Sequence, residues 1–199
     1  MSSYLVLQRT SFALRDILWD AVQPVPPIRG IFQSAQAIAF SNPRDTHHDN
    51  SLKLSLWLYQ VTENEFLKNQ PPTRPSNGSH LNEVKTPLAL NLYYLVTPFT
   101  LSAEQDLQAL GFVMRVFYDN PTIYINDPAN GVFEELRLIL CRLNLEELTR
   151  VWEALQESYR LSICYKVTVA RVESTDISNK ARVVEASKDY GAVPQPFER

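Results

Sequence analysis

The sequence predicts an α+β (mixed α/β) fold: one sheet-centred domain with about three helices packed on a mostly antiparallel or mixed sheet, plus an extended C-terminal arm. Three observations predict it. Runs that alternate with period two recur along the chain, separated by runs in helical register. Their order is helix, strands, helix, strands, helix, strand, which argues against a repeated βαβ unit. Finally, 45% hydrophobic and 21% charged residues suit a chain that buries one substantial core, and 199 residues are too few for two large domains. The domain is placed at residues 1–174 and the arm at residues 175–199.

The first helix is expected from Tyr4 to Val22, capped by Ser2 or Ser3, with Leu7, Ser11, Leu14 and Leu18 on one stripe. Pro24, Pro26 and Pro27 end it and favour an extended connection to a short strand at Ala37 to Phe40. Leu52, Leu54, Leu56 and Leu58 then alternate with Lys53, Ser55, Trp57 and Tyr59, a strand with one buried face. Asn64 and Asn69 bracket the turn that follows, where an amide side chain closes the backbone locally. Residues 70–86, polar and proline-rich, read as a mobile hairpin loop. Leu88 to Val96 is a strand apolar on both faces, and therefore central.

Ser102 with Gln105 opens a second long helix, on which Leu107, Leu110, Met114 and Phe117 fall in register and which Asn120-Pro121 ends. Gly111 inside it costs about 1 kcal/mol against alanine, which argues for a close helix-to-sheet approach. Strand-like runs follow at Thr122 to Ile125 and Leu136 to Cys141. Asn144 with Glu147 then forms a capping box ahead of Leu148, Val151, Trp152 and Leu155. The run from Leu161 to Glu173, rich in β-branched residues, closes the core. Beyond Ser174 only Val183-Val184 interrupts a weakly patterned arm.

Nineteen basic and twenty-two acidic residues give a net charge of -3, spread along the chain, so there is no phosphate-neutralising face and nucleic acid is not an expected partner. No apolar run reaches the roughly 18 to 20 residues that span a bilayer. Arg9, Arg15 and Asp16 interrupt the stretch that a signal peptide keeps apolar, so the reading is cytoplasmic synthesis without direct membrane insertion. Cys141 and Cys164 lie in apolar strand-like runs and read as buried, reduced thiols.

Chemistry-bearing clusters are few. His47-His48-Asp49, with His80 further along, is the only group of metal-type ligands. Adjacent histidines on an extended chain point to opposite sides, so the group reads as a solvated loop; the competing reading is a small metal-dependent hydrolase built on it. Glu134-Glu135 and Glu146-Glu147 are neighbours in sequence, and general acid-base work needs two carboxylates in different environments. Glu146 and Glu147 suit the first turn of a helix, where negative charge complements the dipole. No Gly-x-Ser-x-Gly elbow or Gly-rich phosphate loop is present. The expectation is a protein that is not an enzyme, with no catalytic, cofactor-binding or metal-binding residues.

Taken in order, FSNP at Phe40 to Pro43, LWLYQVTENEFLKN at Leu56 to Asn69, PLALNLYYLVTPF at Pro87 to Phe99, LGFVMRVF at Leu110 to Phe117, and LNLEELTRVWEAL through SYRLSICYKVTVARVES resemble the tail-terminator or cap protein family of extracellular contractile injection systems. These are phage-tail-like particles of the antifeeding prophage and Photorhabdus virulence cassette type. The resemblance runs from about Tyr4 to Ser174, and at Ala103 to Leu107 the chain departs from the family pattern. It implies a structural cap: a homo-oligomer, expected as a hexameric ring, that sits on the end of the inner tube and sheath and stops their growth. The implied partners are further copies of the chain and the inner-tube and sheath proteins of one particle. The alternative is another tail component, such as a tube-completion or baseplate-adaptor subunit. Candidate interface residues are Asn64 and Asn69 in the turn, with Arg182, Val183 and Val184 in the arm, where residues 182–186 are expected to add a strand to a neighbouring subunit or the sheath.

Overall fold

The computed structural model describes residues 3–68, 76–77, 80–84, 86–127, 132–172 and 177–181. A single 3-10 turn, Ser3–Leu5, leads into α1, Val6–Val22. The expected serine cap is not what starts this helix: its N-cap is Leu5, already in helical geometry, with no side-chain cap bond. Leu14, Leu18 and Val22 form the buried stripe, joined by Val6 and Thr10. Thr10 donates to the Val6 carbonyl at 2.8 Å and Ser11 to the Leu7 carbonyl at 3.0 Å, which satisfies hydroxyls placed on the buried side.

The proline cluster was expected to be extended. Instead Pro26 and Pro27 occupy the first positions of a short helix, α2, Pro26–Ile31, where a missing N–H costs nothing because that donor has no helical acceptor. Pro43 does the same in α3, Pro43–His47, whose cap is the Asn42 side chain accepting from the Asp45 N–H at 2.9 Å. Two short helices thus join the three long ones, α1, α4 (Ala103–Asp119) and α5 (Leu145–Leu155).

The main sheet has six strands in the order β1-β2-β5-β8-β7-β6. These are β1 (Ile38–Ala39), β2 (Leu54–Glu63), β5 (Leu88–Pro98), β6 (Thr122–Asp127), β7 (Val132–Cys141) and β8 (Ile163–Val172). Only β1 and β2 run parallel; every other neighbouring pair is antiparallel. The strand signals at Leu54, Leu88 and Ile163 therefore mark the centre of the sheet, as their alternation requires. Pairing of β2 with β5 slips between Leu58 and Gln60, leaving Tyr59 as a bulged residue.

Sequence-distant segments add a second, three-stranded sheet in the order β3-β4-β9, from β3 (Ser76–Asn77), β4 (His80–Val84) and β9 (Ile177–Ala181). The β5–β8 ladder ends at Leu88 opposite Val172, and pairing resumes between Val84 and Ile177. Strands therefore occur inside both the stretch read as a mobile loop, residues 70–86, and the stretch read as an arm, residues 175–199.

The core lies on one face of the main sheet. α1 packs on β6 and β8, and α4 on β5 and α1. Leu54 and Leu56 of β2, Leu92, Tyr94 and Val96 of β5, and Tyr165 and Val167 of β8 point into this layer. The Tyr94 hydroxyl shares a 2.9 Å hydrogen bond with Ser11, which supplies the polar partner that a buried phenol needs. α4 is rotated from the expected stripe: Ala109, Leu110, Phe112, Val113, Val116 and Phe117 are buried, whereas Leu107 and Met114 are exposed. Leu95, Phe99, Cys164 and Trp152 are buried outside this main cluster, and strand alternation puts Leu95 and Cys164 on the opposite face of the sheet. The Asn144–Glu147 capping box of α5 forms in full, with bonds of 2.8 and 2.9 Å.

Candidate interaction surface

The turn after β2 is built on Asn64. Its N–H donates to the Ala89 carbonyl at 2.8 Å, its side-chain amide donates to Asn91 Oδ1 at 3.3 Å, and its own Oδ1 accepts from the Phe66 N–H at 3.1 Å. Asn64 is buried, so its polar groups act within the fold. What the turn offers outward is Phe66, 95% exposed. Of the other candidate interface residues, Asn69, Arg182, Val183 and Val184 lie outside the described residues.

A larger apolar surface lies where α4 meets the ends of β7 and β8. Leu107, Gly111, Met114 and Tyr118 are spaced i, i+4, i+7 and i+11, so they share the outward face of α4. Tyr118 is 84% exposed. Below it, Met114, Phe117, Pro121, Leu138, Leu140 and Tyr165 line an open groove of about 760 Å³, flanked by Arg115 and Asp119. Phe117 and Tyr165 meet edge to face at 4.9 Å in its floor. Sequence reasoning placed Met114 in the core and missed the groove. The available signal was that α4 carries apolar residues around more than one stripe, more than one sheet face can cover.

The histidine cluster is occupied by packing. His47 ends α3, stacks on Phe99 at 5.7 Å between ring centres, and places Nδ1 3.8 Å from Glu157 Oε2. Arg160 lies 4.8 Å from the centre of the same Phe99 ring. The Asp49 carboxylate accepts from Ser51 N–H and Oγ at 2.9 and 2.6 Å, bonds that hold its pKa below the ordinary carboxylate value. His80 stands in β4. Among the described residues, no three His, Cys, Asp or Glu side chains are grouped to hold a metal ion, and no helix is long and apolar enough to cross a membrane.

On the face of the sheet away from the main core, Trp57, Tyr59 and Tyr93 form a chain of ring contacts at 6.0 and 6.4 Å. Tyr59 reaches over β5 to place its hydroxyl 3.4 Å from Cys164 Sγ. Burial, that contact and nearby thiols push its phenol pKa far up, so it stays a neutral packing group.

Comparison with known proteins adds the family. No curated protein matches the chain. Its fold is similar to that of the PVC sheath/tube terminator of an extracellular contractile injection system in the extended state, with a TM-score of 0.55 and 22% identity over 81% of this chain and 57% of that one. It is also similar to the tube-terminating cap of the anti-feeding prophage, with a TM-score of 0.61 and 21% identity over 91% of this chain and 60% of that one. The chain therefore spans less than two thirds of the length of either structure. The family profile described as the Pvc16 N-terminal domain matches residues 10–186, and the chain belongs to that family.

Proposed function

We propose that this protein is a structural cap of a contractile injection particle, a tail terminator that forms a ring on the end of the inner tube and sheath and stops their growth. The observation that carries the reading is the family match across residues 10–186, on a fold similar to a sheath/tube terminator and a tube-terminating cap. The mechanism is geometric and involves no bond chemistry. A head-to-tail interface that closes by rotation gives a finite ring, and a ring with unlike faces leaves no template for a further layer. The groove beside Tyr118 and the exposed Phe66 are surfaces of the kind such contacts bury. Asn64 contributes by holding the turn that presents Phe66. Asn69 is a further candidate contact.

The arm residues Arg182, Val183 and Val184 follow directly on β9, whose outer edge is unpaired among the described residues. Strand addition there supplies affinity through backbone hydrogen bonds. The partners are further copies of this chain, as a hexameric ring, together with tube and sheath proteins, after synthesis in the cytoplasm.

The test is electron microscopy of particles made with and without this protein. Lengths are expected to lose their fixed value in its absence, and unchanged lengths overturn the reading. Label found at the baseplate end replaces it with an adaptor role. Mass determination of assembled protein is expected to give a species six times the 22.8 kDa chain. Deleting residues 182–199 is expected to weaken capping while leaving the folded domain intact.

A further inference from the structure

The register of β7 against β8 sets Cys141 directly opposite Cys164. Residues so placed in an antiparallel pair have Cα atoms about 4.5 to 5.5 Å apart. That separation lies within the roughly 4.4 to 6.8 Å a disulfide spans. The register already places the two side chains as direct cross-strand neighbours, so bridging them needs side-chain rotation and no strand shift.

The two sulfurs have unlike surroundings. Cys164 is 3% exposed and carries the Tyr59 hydroxyl against its Sγ. Cys141 is half-buried at the end of β7 and open to solutes. The hydrogen bond from Cys164, with help from the nearby Lys166 ammonium, lowers the Cys141 pKa to about 7 despite its partial burial. The neighbouring Cys141 sulfur and burial push Cys164 the other way. An accessible sulfur that ionises readily, backed by a buried thiol, is the arrangement that thiol exchange uses for attack and resolution.

We propose that Cys141 and Cys164 form a thiol–disulfide exchange site that reacts with low-molecular-weight disulfides and closes to an intramolecular bridge. The Cys141 thiolate attacks one sulfur of the small disulfide. The S–S bond breaks, the departing thiolate takes a proton from solvent, and Cys141 holds a mixed disulfide. Cys164 then attacks the Cys141 sulfur and expels the second small thiolate, which takes up the proton that Cys164 gives up as its sulfur bonds. Two protein thiols are oxidised to one disulfide while one small disulfide is reduced to two thiols. The bridge fastens β7 to β8 three residues before Asn144, the cap of α5, and so pins the strand end from which α5 departs.

The test treats the folded full chain with oxidised glutathione, then alkylates and maps the products by mass. The wild-type protein is expected to lose both free thiols, retain no glutathione, and yield a linked peptide pair containing Cys141 and Cys164. Cys164→Ser is expected to accumulate one glutathione on Cys141, and Cys141→Ser to stay unmodified while folded, with circular dichroism checking the fold of each. The fate of the wild-type protein alone decides the matter. Glutathione left on Cys141, or both thiols still free to alkylation after treatment, overturns the proposal.

Discussion

Asn64 and Phe66 sit two positions apart and separate two kinds of work done by single residues. Asn64 is buried and its side chain makes two of the three bonds that close the turn, so Asn64→Ala removes both and is expected to lower stability by about 1 to 3 kcal/mol, read from urea unfolding. Phe66 is almost wholly exposed, and Phe66→Ser is expected to leave the unfolding midpoint in place while weakening association, measured by sedimentation or particle length. The tyrosines set the response to alkali. Burial pushes Tyr94 up to about 12, and pushes Tyr59 and Tyr165 up as well. Above the ordinary tyrosine value near 10 the unfolded chain releases phenolic protons that the folded chain keeps. The folded state then binds more protons, so the stability that Tyr94 contributes is present below about pH 10 and is lost as pH rises through about 12. Unfolding midpoints measured from about pH 8 to about pH 11 are expected to fall, and less steeply in Tyr94→Phe.

At the scale of elements, α5 is attached most narrowly, because Trp152, 2% exposed, is its single fully buried side chain. Trp152→Ala is expected to raise amide hydrogen exchange throughout α5 while β5 and β8 keep their protection, since removing a buried aromatic costs about 3 to 5 kcal/mol. If α5 exchange is unchanged, other contacts hold it. Both long caps were legible in the sequence, Ser102 and Asn144, because a capping side chain and its target are three residues apart. The central strands were legible too, since alternation at Leu54 and Leu56, and at Leu92 through Val96, records which face meets the core. α2 and α3 were not, because proline at a helix start and proline as a breaker are the same letter. The facing of α4 was also hidden. Leu107 and Met114 are as apolar as Leu110 and Phe117, and periodicity gives a helix without saying which of two apolar stripes the sheet takes.

The whole molecule carries what no local pattern encodes. His80–Val84 and Ile177–Ala181 pair across about half the length of the chain, and a ladder held by backbone groups leaves no mark in side-chain alternation. The cysteine pair and the groove beside Tyr118 are likewise products of register and packing, whereas family membership was legible because several motifs kept their order. Charging the groove tests it at this scale: Met114→Lys with Leu140→Glu is expected to leave unfolding within about 0.5 kcal/mol of wild type, since both sites are exposed, and to abolish ring assembly. Assembly that survives both charges removes the groove from the list of contacts. The slip at Tyr59 has a last consequence. β1 pairs with β2 only at Leu54 and Ser55, so among the described residues the rest of that outer margin has no strand beside it. A straight margin recruits stray extended peptide one backbone bond after another. A kinked one breaks the repeat at its sixth residue, so this margin is a poor template for sticky, unplanned fibres.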